Sequence, residues 1–573
     1  MSNLQKLFYI LNKNQKANLF YLSLILLLVS ALEIFFLHSI LILVEIITNN
    51  KSLNFINFQF INFGKHENIK IALIGFIFLF LIKSLTNIFA IKYEANFIYR
   101  TRENLTKNFF DKYTNLPKLL QIKLSVANLI KKIVIQVEYL TIAMKSISTL
   151  FLELTILLLI SLYLLTINFY ISIYIFIIFS ISSLILIKFN KKKIVSVGKD
   201  QIEHNEKIIQ TVNEIFSSLK FFKSKKFNEN TTKKFNFHNK SLSDIAIIVA
   251  FKNGYIRPLF ELVILIVLIS VLSLIFFLEL NLKDFLPQFA VFLAASYRLM
   301  PSYARILTSI QTYKYNIQPI NEYYSDQKNI FDNHSLNISK QNIHFNSQIE
   351  FKNVSFSYNS EKKNNSKFIF DNINLKLDYN SKNCIIGESG AGKSTFLDIF
   401  MGLVEPIQGE IYIDNKKTRL SNSNWQDYIG FVSQNIYITN DTLKSNIAFG
   451  FDDAEIDENK ILECLKTCNL IDFVDKLKNG INTKLSDLGT NISGGQKQRI
   501  GIARALYTSP KILVLDEPTN NLDDKNQHII IKNLLKLKDT TLLVTTHKNE
   551  LISEFDNTFE VKEKNIKKID EIK

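Results

Sequence analysis

Cysteine is scarce here: three in 573 residues, Cys384, Cys464 and Cys468, all in the C-terminal half. None stands in a ligand cluster with histidine, which excludes a cysteine–histidine metal site. Free thiols suit a reducing, cytosolic setting. A cleavable signal pattern is also missing. The first apolar run follows a polar stretch holding Lys6, Lys13 and Lys16 and is too long for a signal core, so it is expected to stay in the mature chain. Acid falls short of base, with 52 Asp and Glu against 68 Lys and Arg, a net charge of +16. Such a balance fits a nucleic-acid binder or a membrane protein with basic loops. The long Leu, Ile, Phe and Val runs before about Leu307 favour the membrane, so no nucleic-acid partner is expected.

A helix crosses the hydrocarbon core with about 20 residues. Six segments qualify: Ala17–Ile47, Ile69–Ala90, Ser146–Ile167, Tyr170–Ile187, Tyr255–Leu280 and Phe285–Leu307. Only Asn168 and Phe169 separate the third from the fourth, which implies a tight turn. The connections Ile91–Lys145 and Lys188–Gly254, the latter with Lys191-Lys192-Lys193, are long and basic, so they are expected on the cytoplasmic side. Apolar residues recur at three-to-four spacing through Phe97–Phe110 and Ile208–Phe222, which predicts helices there.

Glu33, Lys83, Glu153, Glu261 and Arg298 fall inside these segments. Each costs about 2.5–3.5 kcal/mol on insertion scales, so they must pair or face water. Arg298 and Arg305 are seven apart and share a helix face, with Pro301 between them; Arg257 stands beside Pro258. Either these three arginines line a cavity and grip a phosphate or pyrophosphate, or they are ion-pair partners of the span glutamates.

Long apolar runs are absent after about Asp326. The predicted organisation is a helical six-span membrane domain over 1–325, a polar linker over 326–348, and an α/β nucleotide-binding domain over 349–573. Gly387-Glu388-Ser389-Gly390-Ala391-Gly392-Lys393-Ser394-Thr395 follows an apolar strand, Asn383–Ile386, and opens a helix, Thr395–Met401, as a phosphate-binding loop does. Its backbone N–H groups would close on the phosphates of ATP, Lys393 would reach the β- and γ-phosphates, and Ser394 would offer a hydroxyl to Mg²⁺. The buried-strand run Ile512–Leu515 ends in Asp516, placed to hold Mg²⁺, and Glu517, placed to orient or deprotonate the attacking water.

Asn491-Ile492-Ser493-Gly494-Gly495-Gln496-Lys497-Gln498-Arg499 resembles the signature of the ATP-binding cassette family, Leu-Ser-Gly-Gly-Gln, with Ile492 in place of leucine. The resemblance implies that Ser493, Gly494, Gly495 and Gln496 close over ATP held by an opposing subunit. It further implies that Tyr358 stacks on adenine, that Gln434 senses Mg²⁺ and that His547 contacts the γ-phosphate. Asp487 and Gly489 would form the loop touching the cytoplasmic helices, and Asp523 would contact the partner's nucleotide. Asn520 and Asn521 stand where the family has Ser-Ala, and Lys548 where it often has arginine. No departure removes a catalytic group, so an active ATPase is expected. One cassette supplies half of each composite site, which implies a half-transporter of exporter type, most simply a homodimer, in the inner (plasma) membrane with its ATPase domain in the cytoplasm.

Ser296–Ser309, with Arg298, Pro301 and Arg305, resembles span six of bacterial flippases for lipid-linked oligosaccharides, although Ala304 replaces the family asparagine. Glu33, Lys83, Glu153 and Glu261 fall where those flippases carry charges of the same sign. A lipid-linked, pyrophosphate-bearing substrate is the expectation. Export of another lipid, a polysaccharide precursor or a drug is the alternative within transport. A peptide exporter, which often carries an N-terminal peptidase domain, is not expected. Outside transport, an ATP-gated channel or a soluble cassette ATPase remains open.

Overall fold

The computed structural model describes residues 2–49, 65–122, 124–190, 194–219, 223, 228–277, 282–331, 341–358, 368–485, 492–519, 522–547 and 549–569. Of the residues singled out above, Lys191–Lys193, Phe222, Asp487, Gly489, Asn491, Asn520, Asn521 and Lys548 lie outside these, as do 278–280 of the fifth predicted span and 332–340 of the linker. The chain divides into two units. One holds Met1–Leu116 and Lys123–Ser335; the other holds Pro117–Ile122 and Leu336–Lys573.

The first unit is helical. It runs α1 (Asn3–Ile10), α2 (Lys13–Asn49) and α3 (Lys65–Thr114), then, after the short helix α4 (Lys118–Gln121), α5 (Val126–Ile130) and α6 (Gln136–Ile167). There follow α7 (Phe169–Asn190), α8 (Ile194–Ser217), α9 (Asn228–Gly254), α10 (Ile256–Phe277), α11 (Leu282–Tyr315) and α12 (Ile317–Asp326). The second predicted span and its cytoplasmic extension are one helix, α3, of 50 residues. At 1.5 Å per residue it is about 75 Å long. Among the described residues, four helical stretches are long and apolar enough to cross a membrane: Lys13–Ile47, Ile69–Thr114, Val126–Ile167 and Glu229–Ser270. Phe169–Ser182 is a shorter apolar helix. The sixth predicted span lies in α11, which runs on through Pro287 and Pro301.

Local chemistry sets the breaks. Ser2 caps α1 through a reciprocal pair with Gln5. Between α6 and α7, Asn168 takes an extended conformation, its Oδ1 accepts from the Ile171 N–H at 3.2 Å, and Ser172 Oγ donates back to the Leu164 carbonyl at 2.7 Å. That turn is as tight as the spacing predicted. The core of this unit interleaves Leu37, Ile156, Phe179, Phe260, Phe292 and Tyr303, with Phe179 and Tyr303 stacked at 4.9 Å.

The second unit is an α/β domain. An antiparallel sheet in the order β2-β1-β4-β5 is formed by β1 (Gln348–Phe356), β2 (Phe370–Asp378), β4 (Gln408–Ile413) and β5 (Lys416–Lys417). A second sheet has the order β10-β9-β3-β8-β7-β6. Its strands are β3 (Lys382–Ile386), β6 (Ile429–Val432), β7 (Ile512–Asp516), β8 (Thr541–Thr546), β9 (Asn557–Lys562) and β10 (Asn565–Ile569), with β3, β6, β7, β8 and β9 parallel. Helices α13 (Lys393–Phe400), α14 (Leu443–Ile447), α15 (Glu458–Thr467), α16 (Ile471–Asp475), α17 (Gly494–Tyr507) and α18 (Asp524–Leu535) connect them. β3, β7 and β8 are buried nearly throughout, as parallel strands covered on both faces require, with the apolar run Ile512–Leu515 in β7 and Leu542–Val544 in β8.

Two apolar cores result. Phe396, Leu397 and Phe400 of α13 join Phe351, Phe370 and Trp425 in one; Ile500 and Ile502 of α17 join Leu465, Leu513 and Leu542 in the other. The segment around α4 belongs to this unit. Leu119 packs against the first core, and Lys118 Nζ lies 2.5 Å from Asp398 Oδ1 on α13. Burial pushes the Cys384 thiol up to about 12 and the Cys464 thiol up to about 11, so both are inert packing residues at neutral pH.

The β9–β10 turn is strained. Glu563 and Lys564 take φ of 48° and 64°, a region where residues with a Cβ lose about 1–2 kcal/mol each. Lys564→Gly is expected to stabilise this unit by about 1 kcal/mol. Urea unfolding of the full chain, followed by fluorescence of Trp425, the only tryptophan, measures it. An unchanged or lower midpoint would refute the strain argument.

Candidate nucleotide site

The site lies at the carboxyl ends of β3, β6, β7 and β8, where open parallel sheets bind ligands. From β3 the chain enters the loop Gly387–Gly392 and then α13. Gly392 caps α13 with φ of 110°, and a Cβ there would lie 2.9 Å from Phe370 Cζ. Gly387 takes φ of 156°, and its Cβ would lie 2.8 Å from the Val561 carbonyl oxygen. The loop therefore tolerates no side chain at either end and turns its backbone inward, a cradle fit for phosphate.

Lys393 is 5% exposed, and its ammonium donates to the Gly387 and Glu388 carbonyls at 2.7 and 3.1 Å. Its Nζ also lies 3.8 Å from Glu517 Oε1. The other Glu517 oxygen, Oε2, accepts from Gln434 Nε2 at 2.8 Å. Glu517 sits one residue past β7 with φ of 48°, a sparsely populated conformation for a side-chain-bearing residue and a mark of functional constraint. Its own N–H donates to Thr545 Oγ1 at 3.0 Å, and that hydroxyl donates to Asp516 Oδ1 at 2.8 Å. Thr545 therefore holds both acids at once. The sequence reading missed it. The available signal was the threonine-rich end of a buried strand, although only the pairing of β7 with β8 shows which threonine stands beside Asp516.

Of the remaining predicted residues, Ser394 and Thr395 occupy the first turn of α13, and Tyr358 OH lies 3.3 Å from Thr395 Oγ1. Tyr358 is half-exposed and packs edge-on against Phe356. His547 follows β8. Ser394, Gln434 and Asp516 offer hydroxyl, amide and carboxylate oxygens, the hard donors that Mg²⁺ takes. Glu388, Ser389, Gly390 and Ala391 complete the loop.

Ser493 and Asp523 each cap a helix. Ser493 caps α17, its Oγ accepting from the Gln496 N–H at 3.2 Å while its own N–H donates to Gln496 Oε1 at 2.8 Å. Gly494 and Gly495 form the first residues of that helix, whose N–H groups suit an anion. Asp523 caps α18 and accepts from Asn526 Nδ2 at 2.7 Å, which holds its carboxyl below the usual carboxylate range.

In the first unit the span charges pair. Arg298 Nε donates to Glu33 Oε1 at 2.9 Å, and one of its terminal nitrogens lies 3.6 Å from Glu153 Oε2. Lys83 Nζ lies 2.7 Å from Glu33 Oε2 and 4.2 Å from the centre of the Phe36 ring. Arg305 Nε lies 2.7 Å from Glu153 Oε1. Ser302, one turn after Arg298, donates to Glu153 Oε2 at 2.7 Å and accepts from Arg298 at 3.0 Å. The network ties α2, α3, α6 and α11 together. Arg257 is not part of it: it pairs with Glu261 on its own helix at 3.2 Å, and both are largely exposed.

Comparison with known proteins agrees with this geometry. Residues 370–520 match the ABC transporter family. A putative export ATP-binding/permease protein of Rickettsia typhi is 40% identical over 198 residues, 34% of each chain. A probable ABC transporter ATP-binding/permease protein of Haemophilus influenzae is 37% identical over 199 residues, 35% of each chain. The alpha-hemolysin translocation ATP-binding protein of Escherichia coli is 35% identical over 213 residues, 37% of this chain and 29% of that one. The chain thus spans about a third of the length of the curated relatives it matches. In fold, it is similar to a bacterial Atm1-family ABC exporter solved with ATP bound, with a TM-score of 0.74 and 17% identity over 96% of this chain and 95% of that one. Residues 370–520 are an ABC transporter ATPase domain, whose ligands are ATP and Mg²⁺, in a chain with the fold of an ABC exporter.

Proposed function

We propose that this chain is one half of an ATP-driven exporter with six spans, working as a dimer of two copies in the inner (plasma) membrane with its cassettes in the cytoplasm. The observation that carries the reading is the meeting of Lys393, Gln434, Asp516 and Glu517 at one sheet edge, in a chain whose other unit is built of long apolar helices. Each cassette holds ATP by the Gly387–Thr395 loop and Tyr358. Ser493, Gly494, Gly495, Gln496 and Asp523 of the second copy close over it. The loop helix and the Ser493 helix belong to separate apolar cores, which favours contact in trans over contact within one copy. Glu517 orients and deprotonates the attacking water, Ser394, Gln434 and Asp516 bind Mg²⁺, and His547 contacts the γ-phosphate.

The test is a disulfide between copies. With Ser389→Cys and Ser493→Cys in the full chain, oxidation under ATP is expected to give a band of twice the chain mass. The native cysteines are buried and leave little background. A band of single-chain mass throughout would overturn the dimeric site.

The substrate reading has two levels. Two of the relatives' names speak of export and of hemolysin translocation, which supports export without choosing a substrate class; a lipid, a polysaccharide precursor or a drug is the broad reading. The narrower reading is a lipid-linked oligosaccharide whose pyrophosphate pairs with arginine. Its support is the charge count of the α2–α3–α6–α11 network: Lys83, Arg298 and Arg305 against Glu33 and Glu153, three cations for two carboxylates. Arg305 is half-exposed and is the member poised to reach an anion. Arg257 has no support from that network. In proteoliposomes, Arg305→Ala is expected to cut stimulation by a lipid diphosphate about tenfold and to leave basal ATPase within about twofold. Equal loss of both would favour a purely structural arginine.

A further inference from the structure

One cavity of the first unit is lined by no member of the charged network. It has a volume of about 380 Å³ and opens where α6, α8, α9 and α11 meet. That is the size of a small-molecule pocket. Ile142, Val249 and Ala250 supply apolar wall, and Tyr139, Gln201 and Gln311 supply polar groups. Gln311 is 8% exposed, and its Oε1 has no hydrogen-bond partner among the described residues. A buried acceptor left unmade costs about 1–3 kcal/mol, so an orphan at a cavity wall calls for a donor from outside the chain. Tyr139 OH accepts from Asn205 Nδ2 at 3.1 Å, which leaves its own proton to donate into the cavity. The cavity is framed by an intimate helix contact: a Cβ on Gly198 of α8 would lie 2.0 Å from the Tyr315 carbonyl oxygen of α11, so only glycine lets these helices meet. Among the described residues no carboxylate lines the cavity, and Lys252 is its sole ionisable residue apart from the two phenols.

We infer that this junction binds a small amphiphile whose headgroup carries a hydroxyl donor, with the hydroxyl on Gln311 Oε1 and the alkyl body along the α9 wall. The inference does not rest on the exporter reading.

The probe is an alkyl glucoside bearing a diazirine in its chain, added to the full-length protein in phosphatidylcholine nanodiscs, whose headgroups have no hydroxyl. Photolabelling is expected in peptides covering 246–253 and 311–316. Octyl glucoside should compete it; free glucose and the per-O-methylated glucoside should not. Gln311→Leu is expected to raise the half-labelling concentration about tenfold while basal ATPase stays unchanged and the melting temperature does not fall. Labelling elsewhere, competition by the methylated analogue equal to that by octyl glucoside, or an unchanged concentration in Gln311→Leu would each overturn the site. Should that variant fail to fold, the methylated competitor on the unaltered protein decides alone. Retained ATPase without labelling removes this pocket and leaves the exporter reading standing.

Discussion

Glu517→Gln is expected to slow ATP hydrolysis by at least about 100-fold while leaving nucleotide binding in place. A positioned general base contributes about 10²–10⁴-fold, and glutamine keeps the shape of glutamate without its ability to take a proton. The structure gives this residue little freedom. Thr545 fixes its backbone N–H, Gln434 fixes Oε2, and Lys393 stands 3.8 Å from Oε1. An amide can keep only one of these two acceptor contacts, its oxygen facing Gln434, but the Lys393 ammonium retains the Gly387 and Glu388 carbonyls, so the loop that holds the phosphates stays intact. Phosphate release and equilibrium nucleotide binding, measured on the same preparation, separate the two effects. Turnover close to that of the unaltered protein would remove Glu517 from the chemistry and return the role to another group at the edge of β7.

The second large effect is on stability. Glu153 is 1% exposed and accepts from Ser302 while facing Arg298 and Arg305. Glu153→Ala leaves Arg298, itself largely buried, with the Ser302 hydroxyl and one carboxylate, Glu33, which it shares with Lys83. Removing one partner of a buried pair costs about 3–5 kcal/mol, because the surviving charge has no water to replace it. Arg305 is half-exposed and contributes less to that loss, since solvent screens it. A fall of about 5–10 °C in the melting temperature of the detergent-solubilised chain is expected, since a shift of about 2–4 °C per kcal/mol holds for about 150–250 residues and shrinks for a unit as long as this one. Glu153→Gln, which keeps an acceptor for Ser302, should lie between. Equal stability of Glu153→Ala and the unaltered chain would show that the network is solvated rather than buried.

The cassette was the more legible half. The glycine loop, the Ile512–Glu517 run and the Ser493 helix start are local features, and backbone geometry dictated by nearby residues carries them into the fold with few shifts. The predicted strand at Asn383–Ile386 begins one residue earlier, and the helix predicted from Thr395 begins at Lys393. Thr545 escaped because its role depends on strand pairing: β7 and β8 are far apart in sequence, and only their parallel register sets a hydroxyl beside Asp516. In the membrane half, the need for the span charges to pair was readable from desolvation cost alone. Which charge pairs with which was not. Arg298 and Arg305 share a face by spacing, yet Arg257 is drawn off by Glu261 one turn along its own helix.

Composition and pattern by themselves determined that the chain has a long-helix apolar half and an α/β half with a phosphate loop, because hydrophobic length and glycine spacing act over a few residues. Tertiary structure alone decided the partners. It put Thr545 between two acids, joined Glu33, Lys83, Glu153 and Arg298 from four helices, drew the Lys118 helix into the cassette unit, and left Gln311 facing a cavity without a donor. Each of these is a contact between residues distant in sequence, and its energy depends on the dielectric and geometry that only the folded chain creates.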